Sequence, residues 1–210
     1  MANRDCLKIL KQGIVTWNEW RENSPNIRPD LSRAHLRRAD LGGVNLRGAN
    51  LNGADLAEAY LREACLSGAD INKAFLRKAD LHSADLSDAN LRGTNMAGAN
   101  LSRADLTGAY LRKASLRGAN LKGTYLRGTD LREADLSEAI VLYTVFGLLD
   151  LSAISGLERV KHLGPSTIGT ETLTVTATGL LENPFRQGEV EAFLRGAGVL
   201  SNYIVSADFL

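Results

Sequence analysis

Three histidines, two cysteines and a scatter of serines are the side chains of this 210-residue chain that could carry nucleophilic, acid–base or metal chemistry. His162 stands four residues before Ser166 and five before Thr167. A histidine so placed would serve as base toward a hydroxyl if the fold joined the two and an acid oriented the ring. The sequence offers no such acid, and loop capping is the ordinary reading of the run. His35 and His82 lie far apart, each without an evident partner. Cys6 and Cys65 are too few for a disulfide framework and have no metal-ligand spacing, and Cys65 reads as a half-exposed thiol. None of the glycines opens a helix after a strand, so there is no phosphate-binding loop. The expectation is a protein that is not an enzyme, with no catalytic residues, no cofactor-binding residues, no metal ligands and no small-molecule substrate.

The elements that hold these residues follow from composition and then from periodicity. Lys and Arg number 25 against 24 Asp and Glu, a net charge of +1. That balance argues against a dedicated nucleic-acid binder and equally against an acidic mimic of nucleic acid. The longest uncharged apolar stretch, residues 140–149, is half of the roughly 20 residues a membrane-spanning helix needs, so no membrane association is expected. The first residues lack the apolar run of a signal peptide, and a reducing cytoplasm is the expected location.

Between residues 34 and 143 the chain reads as 22 uninterrupted five-residue units of the form Ala-x-Leu-x-x. The central position is Leu in 19 units and Ile71, Met96 or Val141 in the others; the residue two before it is Ala in 18. On an α-helix a step of five advances a side chain by about 140°, which would scatter the leucines around the circumference. On an unbroken strand an odd period would send successive leucines to opposite faces. Each unit is therefore extended for about three residues and then turns. The second residue after Leu, which is Gly in 10 units, takes the positive φ of a type II turn. The chain becomes a coil with Ala and Leu always inward.

Runs such as Ala49-Asn-Leu-Asn-Gly-Ala-Asp-Leu and Ala84-Asp-Leu-Ser-Asp-Ala-Asn-Leu resemble the pentapeptide-repeat proteins. The resemblance implies an all-β solenoid, a right-handed quadrilateral β-helix with four units per coil, capped at both ends by small helical segments. Periodicity alone leaves the number four open. Given four, residues 20 apart are neighbours in adjacent coils. Arg38, Glu58 and Lys78 then form an alternating ladder. Arg92, Arg112 and Arg132 stack as the only basic stripe this register yields, diluted by Asp70, Asp130 and Glu133 on the same face. The outward residue between Ala and Leu is Asp or Asn in 14 units. Exposed Tyr60, Phe75, Tyr110 and Tyr125 fall on different faces and form no patch.

Three parts are expected: a helical cap over residues 1–29, the β-helix over 30–151, and a mixed capping or interaction segment over 152–210. In the first, Leu7, Leu10, Ile14 and Trp17 recur at helical spacing, with Asn3 or Asp5 as cap and Pro25 as terminator; this stretch is similar to the helical cap before the repeats in some bacterial members of the family. In the last, residues 189–195 read as a short helix closed by Gly196. Residues 142–200 also resemble a segment that joins the repeats to a TIR signalling domain in some bacterial proteins, although the chain ends at Leu210, too soon for a TIR domain to follow.

The function implied is a non-catalytic protein-interaction scaffold or regulator in a bacterial cytoplasm, with a protein partner left unidentified. A component of a TIR-linked signalling system is an alternative. So is a DNA-mimicking topoisomerase regulator, which the resemblance suggests and the charge disfavours, since residues 30–140 hold 16 Lys and Arg against 14 Asp and Glu. Nucleic-acid binding along the arginine stripe is disfavoured on the same ground. Homodimerisation through the C-terminal segment stays open, the apolar stretch 199–210 being its candidate element.

Overall fold

The computed structural model describes residues 3–199. Each unit contributes one residue to a parallel bridge with the residue 20 positions on: Asp30 with Asn50, His35 with Asp55, Asp40 with Tyr60, Asn45 with Cys65. Four sides of five residues therefore close one coil, and the winding is a quadrilateral β-helix. Because a side offers one bridged residue between two corners, strands in the usual sense are few. Ile140–Val141 (β1) pairs in parallel with Lys161–His162 (β3), and Val145–Phe146 (β2) with Thr167–Ile168 (β4).

One unit, residues 85–89, shows why the motif has the residues it has. Asp85 donates its N–H backward to Ala64 O (3.0 Å), while Leu86 and Asp88 donate forward to Asp105 O (2.7 Å) and Thr107 O (2.9 Å). Ala89 closes the turn by donating to Leu86 O at 3.1 Å. The remaining donor, the Ser87 N–H, meets no neighbouring coil; the Asp85 carboxylate accepts it at 3.0 Å. The outward Asp and Asn residues are thus corner ties, each taking the one N–H that stacking leaves over, as Asp30 does for Ser32 (2.9 Å) and Asp135 for Ser137 (2.9 Å).

The corners hold positive φ without interruption from Arg33 (φ 56°) to Leu148 (φ 51°), through fourteen non-glycine residues as well as the glycines. A side chain there costs about 1 kcal/mol or more, and the hydrogen bonds on either side of the corner hold it in place. Inside, Ala and Leu are buried along the rod, with Leu36 and Ala39 of the first coil only partly so. Where Thr replaces inward Ala it donates to a carbonyl: Thr124 to Leu101 O at 2.8 Å, Thr129 to Leu106 O at 2.9 Å, Thr144 to Leu121 O at 2.7 Å.

At the N-terminal edge the helical spacing of Leu7, Leu10, Ile14 and Trp17 is split between two helices, Arg4–Lys11 (α1) and Ile14–Asn23 (α2), because Gly13 at φ 115° breaks the chain between them. The Asn3 side chain caps α1 by accepting the Asp5 N–H. Helix α2 substitutes for the missing preceding coil. Trp17, fully buried, donates through Nε1 to Asn45 O (2.8 Å); the Asn18 side chain accepts the Asn45 N–H (2.8 Å); Arg21 donates to Arg47 O (2.9 Å) and Ile27 O (2.6 Å).

At the other end the five-residue motif fades near residue 151, but the winding continues. Asp135 still bridges Ser155 at a separation of 20. Ile140 then pairs with Lys161 and Val145 with Thr167, separations of 21 and 22, so two single-residue insertions erase the sequence period while Ile154 and Leu157 stay buried. Thr170–Glu182 (α3) and Gln187–Gly196 (α4) close this edge. Thr176 accepts the Leu151 N–H at 3.0 Å, Thr172 donates to Phe146 O at 3.2 Å, and Phe193 buries its ring 5.2 Å from that of Phe146. Of the candidate association element, 199–210, all but Val199 lies outside the described residues.

Candidate binding face

The residues that could do chemistry are held apart or occupied. Both ring nitrogens of His162 and the Ser166 hydroxyl are buried without a hydrogen-bond partner, so no relay joins them. His82, read from sequence as partnerless, has one: its Nδ1 lies 2.8 Å from Ser102 Oγ, one coil on. The Ser102 hydroxyl donates to Asn100 Oδ1 at 2.7 Å, which leaves the histidine as donor to the serine and the serine unactivated. Cys65 Sγ sits 3.6 Å from Ser67 Oγ and 4.0 Å from the Asp85 carboxylate. Among the described residues no group of His, Cys, Asp and Glu is arranged to hold a metal ion.

The arginine stripe is engaged within the rod by two carboxylates and a ring. Arg112 and Lys113 both reach Glu133, at 2.5 and 3.4 Å; Arg132 grips Asp130 at 2.8 Å; Arg92 lies over the Tyr110 ring, 5.0 Å from its centroid. These contacts hold the Asp130 and Glu133 carboxyls below the usual carboxylate range, through their hydrogen bonds to Arg132 and to Arg112 respectively. Likewise Glu58 takes Arg38 at 2.8 Å and Arg37 at 2.5 Å, with Arg37 standing where the sequence ladder expects Lys78.

A second cationic arrangement, absent from the sequence reading, covers a different face and corrects the expectation of a single basic stripe. His35, Asp55, Phe75, Asn95 and Ser115 run up the middle of this face in successive coils. One rim reads Arg33, Gly53, Lys73, Gly93, Lys113; the other reads Arg37, Ala57, Arg77, Ala97, Arg117. Cations thus occupy both rims in every second coil, and the coils between carry only Gly or Ala there. The small residues make room for the long ones: the Arg33 stem passes so that a Cβ on Gly53 would lie 3.6 Å from its Cγ, and the Lys73 stem lies likewise 3.7 Å over Gly93. Arg33, Lys73, Arg77, Lys78 and Arg117 are exposed and make no ion pair among the described residues.

Toward the N-terminal end the rims border a groove of about 1010 Å³, lined by Leu7 and Phe75, by the cations Arg33, Arg37, Arg77 and Lys78, and by the carboxylates Asp55 and Glu58. Phe75 is 53% exposed, a large apolar ring held among cations. The sequence signal for this face was a 40-residue recurrence, Arg33-Ala-His-Leu-Arg, Lys73-Ala-Phe-Leu-Arg and Lys113-Ala-Ser-Leu-Arg, twice the period of a single coil.

The family model described as pentapeptide repeats (8 copies) matches residues 30–68, 59–98, 84–123 and 99–138. No curated protein matches the chain. Among solved structures, a pentapeptide repeat protein from the Arabidopsis thaliana thylakoid lumen is 36% identical over 47% of this chain and 69% of its own, with a TM-score of 0.47. HetL, involved in heterocyst differentiation regulation in the cyanobacterium Nostoc sp. strain PCC 7120, is 32% identical over 68% of this chain and 69% of its own, with a TM-score of 0.40. QnrB1, a plasmid-mediated fluoroquinolone resistance protein, shares 17% identity over 67% of this chain and 82% of its own at a TM-score of 0.50, a likeness of fold alone. The repeat motif, the coil of four units and the family match together place this chain in the pentapeptide-repeat family, whose fold is the right-handed quadrilateral β-helix.

Proposed function

We propose that the chain is a non-catalytic protein-interaction scaffold whose binding surface is the face running from His35 to Ser115. The observation that carries this reading is the pair of cation rows beside exposed Phe75, in which Arg33, Lys73, Arg77 and Arg117 have no ion pair among the described residues while Arg37 and Lys113 are held by Glu58 and Glu133. Rigid coils support it, because adjacent turns present fixed side-chain columns. Two free thiols, Cys6 and Cys65, favour a reducing compartment such as the bacterial cytoplasm, and no described helix is long and apolar enough to cross a membrane. Imitation of DNA is the weaker reading, because many outward carboxylates are engaged as corner ties and this face is cationic.

The test is a photo-crosslinking amino acid at position 75 and, as a matched control, at position 125. Phe75 and Tyr125 are 53% and 52% exposed but lie on different faces. A discrete protein adduct at 75 and none at 125, in cells expressing the chain, is the expected result. Equal labelling at both positions, or none at 75, overturns the reading.

A further inference from the structure

The spacing of the cations narrows what this face can hold. Adjacent coils stack at about 4.8 Å, so cations in alternate coils repeat at roughly 9.6 Å along each rim. A polyproline II segment makes one turn in three residues at about 3.1 Å each, which returns a side chain to the same edge every 9.3 Å or so. A β-strand returns one to the same side every 6.7 Å or so. From this match we infer that the face binds an acidic peptide segment in the polyproline II conformation, with carboxylates at two of every three positions, one row for each rim, and an apolar residue at the third set against Phe75. The inference rests on the scaffold reading and specifies its ligand.

Three further observations favour this occupant. Arg33, Lys73, Arg77 and Arg117 make no ion pair with the rest of the described chain, so a carboxylate displaces only water from them. Asp55, on the midline between the rims, ties the Ala57 N–H with one carboxylate oxygen at 3.1 Å and has the other for a further N–H donor, which a peptide backbone offers and a phosphodiester backbone does not. A single-stranded nucleic acid stacks successive bases on successive aromatics, and the midline supplies no two in adjacent coils: its rings, His35 and Phe75, are separated by Asp55, and Asn95 and Ser115 follow.

Fluorescence anisotropy on the full-length protein tests this with three labelled probes: the 12-residue peptide made of four Glu-Glu-Pro repeats, an isomer with its eight Glu followed by its four Pro, and a 12-nucleotide oligothymidylate. The repeating peptide should bind at least tenfold more tightly than either of the others. Lys73→Glu/Arg77→Glu should abolish binding, while Arg103→Glu/Arg127→Glu, with the same change in net charge on other corners, should leave it within twofold. Glu is already tolerated at a positive-φ corner, as at Glu58 and Glu63, so Lys73→Glu should fold. Phe75→Ala, which leaves every cation in place, should weaken binding several-fold at an unchanged melting temperature.

Equal affinity for the two peptides, or equal loss with both double variants, overturns the inference. So does tighter binding of oligothymidylate that Lys73→Glu/Arg77→Glu removes. No peptide binding alongside a persisting adduct at position 75 overturns this ligand and leaves the scaffold reading standing. Absence of that adduct counts against the scaffold whatever the peptides do.

Discussion

The ring of His162 stands edge-on to that of Phe193, centroids 5.0 Å apart, with neither ring nitrogen hydrogen-bonded. Desolvation at this site lowers the His162 pKa from its ordinary value of 6.5. The folded chain therefore keeps the imidazole neutral while the unfolded chain takes up a proton first as the solution is acidified. The stability this contributes is present above the unfolded pKa of about 6.5 and is lost as the pH falls through the depressed folded value. Melting temperatures measured from pH 7.5 down to pH 5 should decline below about 6.5. His162→Leu should flatten that decline; an identical decline in the variant would place its source elsewhere.

Leu86 and Asp85 are adjacent and do opposite work. Leu86 is fully buried, one coil from buried Leu106, and Leu86→Ala should cost roughly 2–5 kcal/mol through lost burial and an unfilled cavity. Asp85→Ala removes the acceptor for the Ser87 N–H and should cost about 1 kcal/mol, whereas Asp85→Asn keeps an acceptor oxygen and should be nearly neutral. Denaturant titration of the three variants checks the order. Equal costs at the two positions would reverse the assignment of inward and outward.

Gly48 offers a clean measure of corner strain. It sits at φ 65° with nothing within 4 Å of where a Cβ would stand, so Gly48→Ala should cost about 1 kcal/mol from the backbone alone. A stabilised Gly48→Ala protein in the same titration would mean that the corner imposes no strain on an L residue.

Deletion of residues 1–24 removes Trp17, Asn18 and Arg21 from the carbonyls and N–H of the first coil. An uncovered sheet edge pairs with another, so the truncated protein should associate end to end, read as a rise in mass by light scattering. A truncated protein that stays monomeric would show that the edge needs no cover.

The repeat was legible because one residue class returns at one spacing without interruption: Leu at the centre and Ala two before it force the coil whatever the surface carries. The end of the winding was not legible, because insertions near Gly156 and between His162 and Thr167 destroy the period while pairing survives. Helix α3 was hidden by its composition. Thr170, Thr172, Thr174, Val175, Thr176 and Thr178 are poor helix formers, and the threonines at 172 and 176 are there to bond the coil edge. The outward Asp and Asn residues were visible as a pattern, but their work as corner ties required the hydrogen bonds. The cation-rimmed face escaped because each rim alternates a cation with Gly or Ala, so its period is two coils, 40 residues, rather than one.

That two-coil alternation makes the rod a ruler with two different graduations. Duplicating any 20 consecutive residues within the solenoid would lengthen the hydrophobic interior by one coil with every leucine still inward. The same duplication placed between Lys73 and Lys113 would set the upper cations half a repeat out of step with the lower ones. Only growth in steps of 40 residues extends both the core and the charged pattern in phase. The length of such a protein can therefore drift one coil at a time under selection for folding, while a ligand spanning the face would restrict it to pairs.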